Sequence, residues 1–96
     1  MRKEQAIGII QQHQAALREF HVASLSVFGS VARGEAGTES DIDLLVTFDC
    51  PVGLFEFMRV KRYLENALGC RVDLVTPDAL RLEMREQILQ EAVRVA

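Results

Sequence analysis

Residues 41–48, Asp-Ile-Asp-Leu-Leu-Val-Thr-Phe, carry the pattern that decides the architecture. Ile42, Leu44, Val46 and Phe48 fall on one side of a period-two alternation, and Asp41, Asp43, Leu45 and Thr47 fall on the other. Successive side chains of a β-strand point to opposite faces, so this alternation predicts a strand with one apolar face. Aspartate is depleted in strands, yet this one begins with two. Side chains two apart lie on the same face, about 7 Å apart along the chain, so both carboxylates are presented to one place.

Working outward, residues 30–40 upstream are polar and hold Gly34 and Gly37, which reads as a loop with room for one helical turn. Before it, Leu25 to Gly29 is a short apolar run, a candidate buried strand. Residues 2–20 read as one amphipathic helix, with Ala6, Ile9/Ile10, His13, Ala16/Leu17 and Phe20 at helical spacing. Downstream, Leu54, Phe57/Met58, Leu64 and Ala67/Leu68 mark a second helix, with Gly69 placed as its C-terminal cap. Arg71 to Val75 is a third strand. Thr76-Pro77-Asp78 reads as a helix start, and Leu80, Met84, Ile88 and Ala92 carry helical spacing to the end.

The expected order is α-β-β-α-β-α, an α/β (α+β) fold with a mixed three-stranded sheet packed with helices. The helical crossover between the second and third strands predicts that they run parallel. The short link between the first two favours an antiparallel pair. The C-terminal end of strand 1 then meets the N-terminal ends of strands 2 and 3. Gly29-Ser30, Asp41/Asp43 and Asp73 thus converge at one edge of the sheet.

Composition narrows what that edge can do. The chain has 96 residues and shows no repeats or linkers, so residues 1–96 are expected to form a single domain. Its net charge of −3 disfavours a stable complex with long nucleic acid, which calls for a basic footprint. No run approaches the roughly 20 apolar residues of a membrane helix, and a cytoplasmic location is expected. Cys50 and Cys70 form no CxxC pair, which predicts reduced thiols rather than a disulfide or a zinc site. His13 and His21 have no carboxylate or second histidine at metal spacing along the chain, and both read as packed or rim residues.

Taken singly, each feature of the edge has a plain structural reading. An isolated Asp-x-Asp is a solvated acidic turn, Asp73 a surface-facing carboxylate, and Arg33 equally a solvated loop arginine or a phosphate contact. Together they suit phosphate chemistry. Hard carboxylate oxygens favour Mg²⁺, which completes its shell with water and substrate phosphates. Three carboxylates can hold two such ions, the arrangement that serves in-line displacement at phosphorus. Gly29 would permit close backbone approach to a phosphate, and the Ser30 hydroxyl could donate to it.

The string Gly29-Ser30-Val31-Ala32-Arg33-Gly34, followed by Ser40-Asp41-Ile42-Asp43-Leu44-Leu45-Val46, resembles the signature of the DNA polymerase beta-like nucleotidyltransferases, in particular their minimal nucleotidyltransferase (MNT) branch. Asp73 in Arg-Val-Asp-Leu-Val fits the same pattern. The resemblance implies that Gly29 and Ser30 hold the triphosphate of ATP. It implies that Asp41 and Asp43 ligate Mg²⁺, with Asp73 completing the metal site or helping to deprotonate the acceptor hydroxyl. It further implies an antitoxin, hetero-oligomeric with a cognate HEPN-domain RNase toxin, that transfers AMP from ATP to a tyrosine of that toxin. Two alternatives stand beside it: an antitoxin that neutralises by binding alone, and a nucleotidyltransferase acting on a small molecule.

Overall fold

The central strand forms as its alternation requires. In the computed structural model, which describes residues 3–29 and 42–96, β2 spans Ile42–Phe48. Ile42, Leu44 and Val46 are fully buried on one face. Around it the chain runs α1 (Lys3–Gln12), α2 (Gln14–Glu19), β1 (Val22–Phe28), β2, α3 (Leu54–Leu68), β3 (Val72–Val75), a 3₁₀ turn (Pro77–Ala79), α4 (Leu82–Glu91) and β4 (Val93–Arg94). The sheet order is β3-β2-β1-β4. β1 pairs antiparallel with β2, and β2 pairs parallel with β3, as expected from the connections.

The core lies between one face of this sheet and the helices. Leu25 and Val27 of β1, Val72 and Leu74 of β3 and Val95 join the buried residues of β2. From the helices come Ala6 and Ile10, Leu17, and the stripe Val60, Leu64 and Leu68. That stripe repeats every four residues, so α3 offers one apolar side to the sheet. Gly69 ends α3 in the left-handed region at φ 71°, and its N–H donates to the Glu65 carbonyl at 2.8 Å, the geometry expected of a glycine cap.

Four expectations need correction. The sheet has a fourth strand: Val93 and Arg94 pair with Val27 and Ser26 of β1. A two-residue strand at the tail of a helix is too short to show periodicity. The N-terminal helix is interrupted at His13, where the Nδ1 atom shares a hydrogen bond with the Tyr63 hydroxyl at 2.5 Å. The backbone turns there, so α2 carries Leu17 into the core as a separate helix. β1 begins at Val22 rather than Leu25, because its first residues alternate with the small polar Ser24 and look less apolar than they pack. Thr76-Pro77-Asp78 opens only a 3₁₀ turn, and Leu80 and Arg81 are extended before α4 starts. None of α4's residues is buried, so its helical spacing of apolar residues does not mark a core face.

Leu64 is fully buried whereas Leu54, on the same helix, is 73% exposed. Truncating a core leucine removes its transfer free energy and leaves a cavity. Leu64→Ala is therefore expected to lower unfolding free energy by about 2–5 kcal/mol in urea titrations. Leu54→Ala should stay within about 0.5 kcal/mol of the wild type.

Candidate active site

Asp43 sits on the sheet face opposite the core, at the start of β2, and is half-buried. Its register partners are Phe28 on one side and Asp73 on the other. Neighbouring strands lie about 4.8 Å apart, so Asp43 and Asp73 stand side by side on one face. Asp73 is exposed. Their backbones are held on both flanks. The Ile42 N–H donates to the Arg71 carbonyl at 3.0 Å, and the Val72 N–H donates to the Glu65 carboxylate at 3.2 Å. Glu65 is a contributor that sequence reading missed. As a polar helix residue one position from the core stripe, it gave no signal of capping a strand seven residues on.

Gly29 follows β1 with φ 71°, a left-handed backbone that costs an L-residue with a side chain about 1–2 kcal/mol. A Cβ built at Gly29 would fall on the Asp43 carboxylate, only 3.0 Å from Cγ. The glycine therefore does two things: it turns the chain out of β1, and it leaves the space the carboxylate occupies. Gly29, Asp43 and Asp73 are brought to one edge from three separated stretches of chain. Ser30, Arg33 and Asp41 lie outside the described residues.

A second cluster of polar side chains gathers at the other end of the sheet. Because β1 and β2 are antiparallel, the residue before β1 meets the residue after β2. His21 Nδ1 lies 3.5 Å from Asp49 Oδ1, and the Asp49 N–H donates to the His21 carbonyl at 2.9 Å. Cys50 completes the group, with the ligand atoms of all three residues within 4.8 Å of one another. The expectation that neither His21 nor the cysteines have a metal-type neighbour is thus corrected for His21 and Cys50. The contact spans 28 residues of sequence and follows from strand pairing, not from spacing. Desolvation raises the Cys50 thiol pKa, as do its hydrogen bond to Asp49 and the negative charges of Asp49 and Glu56. Asp49 and Cys50 also line a cleft of about 520 Å³ between the ends of β2 and β3. Asp49 lies six residue steps along the chain from Asp43, so the two clusters are about 20 Å apart.

The Gly29 geometry yields a direct test. Gly29→Ala combines a strained φ with a collision at Asp43, and is expected to cost about 1–3 kcal/mol of stability in urea unfolding. Asp43→Ser in the Gly29→Ala background should recover part of that loss by removing the struck atoms. Additive destabilisation by the two changes would show that the glycine and the carboxylate do not share the space.

The fold has close counterparts among known proteins. Residues 10–95 match the model of the nucleotidyltransferase domain family. A relative named protein adenylyltransferase MntA, from Thermococcus cleftensis, is 42% identical over 93 residues, covering 96% of this chain and 94% of its own. A solved structure described as a candidate minimal nucleotidyltransferase is 40% identical, superposes with a TM-score of 0.84, and covers 97% of this chain and 95% of its own. At 20% identity the likeness is one of fold alone. That holds for a toxin–antitoxin crystal structure with AMP-PNP (TM-score 0.72, covering 100% of this chain and 73% of that one). It holds also for a complex of a tri-AMPylated Shewanella oneidensis HEPN toxin with its MNT antitoxin (TM-score 0.66, covering 100% and 72%). A family match over residues 10–95, with a 42% identical relative spanning nearly the whole sequence, shows that this chain belongs to the nucleotidyltransferase domain family.

Proposed function

We propose that this protein is a Mg²⁺-dependent adenylyltransferase that moves AMP from ATP to a tyrosine hydroxyl of a HEPN-domain toxin and thereby acts as its antitoxin. The observation that carries the reading is the in-register pair Asp43 and Asp73 beside Gly29. Two carboxylates on neighbouring strands repel each other unless a cation or proton intervenes. Their hard oxygen atoms suit Mg²⁺, and Gly29 leaves open the space in which the Asp43 carboxylate lies. The donor set therefore fits the ion, with Asp43, Asp73 and Asp41 as the residues that would hold it.

When bound, Mg²⁺ would supply positive charge against the triphosphate and the developing charge on phosphorus. The rest falls to the chain. Ser30 and the Gly29 backbone would position the phosphates, and Arg33 would offset their charge. The acceptor oxygen forms a bond to the α-phosphorus while the bond to the oxygen bridging the α- and β-phosphorus atoms breaks. Pyrophosphate leaves in line, and the hydroxyl proton passes to a carboxylate, a role that the exposed Asp73 would take. Positioning of this kind can supply about 7–11 kcal/mol of the barrier.

A partner protein as acceptor is supported by surface as well as by kinship. Leu54 and Phe55, adjacent at the start of α3, are 73% and 88% exposed. Large exposed apolar side chains in groups mark interaction sites on small proteins. The Thermococcus cleftensis relative carries the name of a protein adenylyltransferase, which supports AMP as the group and protein as the acceptor.

Two measurements test the reading. Mg²⁺ with ATP should stabilise the wild type by about 2.7 kcal/mol at a hundredfold excess over Kd. The variant Asp41→Asn/Asp43→Asn should lose most of that gain in thermal unfolding. Co-expression with the toxin, followed by intact mass spectrometry, should show a toxin heavier by one or more AMP units only when both aspartates are present. An unmodified toxin that the variant still neutralises would mean that the protein acts by binding alone.

A further inference from the structure

The geometry points to a second cation site, for a borderline-soft divalent ion such as Zn²⁺, built from His21, Asp49 and Cys50 at the sheet end remote from Asp43 and Asp73. The three residues offer one nitrogen, one carboxylate oxygen and one sulfur, all within 4.8 Å of one another. Donors around tetrahedral Zn²⁺ sit about 3.5 Å apart, as bond lengths of roughly 2.0–2.3 Å require. The His21–Asp49 pair already has that spacing at 3.5 Å. Only the sulfur has to draw in, and the side chains of His21 and Asp49 are 54% and 59% exposed, free to rotate without repacking the core.

The backbone under the group is fixed in advance. The Asp49 N–H donates to the His21 carbonyl at 2.9 Å, so two of the three ligand-bearing residues are tied to each other. His21 takes φ 67° at the end of α2, a conformation in which histidine is enriched among non-glycine residues. The β1–β2 register shifts between Val22 and Ser24, immediately beside the cluster. Such bulges bend a strand and re-aim its neighbours.

The donor set also selects the ion. Thiolate and imidazole favour Zn²⁺ or Co²⁺ over Mg²⁺, whereas the all-carboxylate pair at the other end has the opposite preference. Three protein ligands leave a fourth position for water or a small anion. It would open at the rim of the 520 Å³ cleft lined by Asp49 and Cys50, and of a smaller hollow of about 190 Å³ lined by His21. With a separation of about 20 Å, the two sites can be loaded independently.

Cobalt reports the site directly. Titrating the purified full chain with Co²⁺ should give a thiolate-to-metal charge-transfer band in the near ultraviolet. The band should saturate at one equivalent, collapse on adding Zn²⁺ and resist a large excess of Mg²⁺. Cys50→Ser should abolish it, and Cys70→Ser should leave it unchanged. His21→Asn, which keeps a residue tolerant of the left-handed backbone, and Asp49→Asn should each weaken Co²⁺ binding by at least roughly tenfold, since even changes behind the ligands cost 10–100-fold. The Asp43→Asn/Asp73→Asn variant should keep the full signal, which separates this site from the acidic edge. Absence of a thiolate band, its survival in Cys50→Ser, or unchanged affinity in both His21→Asn and Asp49→Asn would overturn the assignment.

Discussion

Strand β2 is paired on both sides, antiparallel with β1 and parallel with β3, and its register governs every other feature of the molecule. Its side chains alternate with a period of two, so a slip by one residue would exchange its faces. Ile42, Leu44 and Val46 would then leave the helix-packed face, and Asp43 would enter a core in which no buried polar or charged side chain is found among the described residues. Burying a carboxylate in an apolar core costs several kcal/mol, and each core aliphatic withdrawn from burial costs up to about 1.5–3 kcal/mol more. The apolar face thus locks the register, and the locked register sets Asp43 opposite Asp73. The core stabilises the fold and positions the acidic edge through the same set of contacts.

The acidic pair is tolerable because it costs the core nothing. Asp43 and Asp73 lie on the face away from the helices, while Val72 and Leu74 beside Asp73 are buried. The constraint falls instead on the identity of residue 29, where only a glycine meets both the left-handed turn and the nearness of Asp43. Neighbouring polar contacts relieve the edge further. Glu65 reaches from the last turns of α3 to the Val72 N–H, which satisfies a strand end that parallel pairing leaves open. Across the same face, Ser24 and Thr47 share a hydrogen bond between their hydroxyls at 2.5 Å, so the polar side of the β1–β2 pair is cross-linked.

Much of this was legible in the sequence because the long elements carry strong periods. The alternation of residues 41–48 and the apolar stripe of residues 54–68 with its terminal Gly69 have their counterparts in β2 and α3. The mixed sheet followed from connection lengths, and with it the convergence of Gly29, Asp43 and Asp73. What escaped has a common physical origin. β4 is two residues long, too short for any period, and is held by pairing with β1. The break at His13 coincides with a side-chain contact to Tyr63, fifty residues away. The apolar spacing of α4 marks a helix but not its surroundings, and no residue in it is buried. The meeting of His21 with Asp49 and Cys50 likewise comes from antiparallel pairing, and chain spacing alone cannot reveal it. Local pattern specifies elements; long-range contacts specify where those elements bend and what they leave exposed.

The mixed sheet gives the molecule two chemically different ends. In an all-parallel sheet, ligands gather beyond the carboxyl ends of the strands, where the loops open. Here the antiparallel β1 delivers its carboxyl end, with Gly29, to the amino ends of β2 and β3. The acidic edge is therefore assembled where a purely parallel sheet would place only strand beginnings. The carboxyl ends of β2 and β3 remain available, and there the cleft beside Asp49 and Cys50 forms. Reversing one strand thus separates hard oxygen donors at one end from the nitrogen and sulfur donors at the other. About 20 Å of strand lies between them, too far for exposed charges to disturb each other at physiological ionic strength.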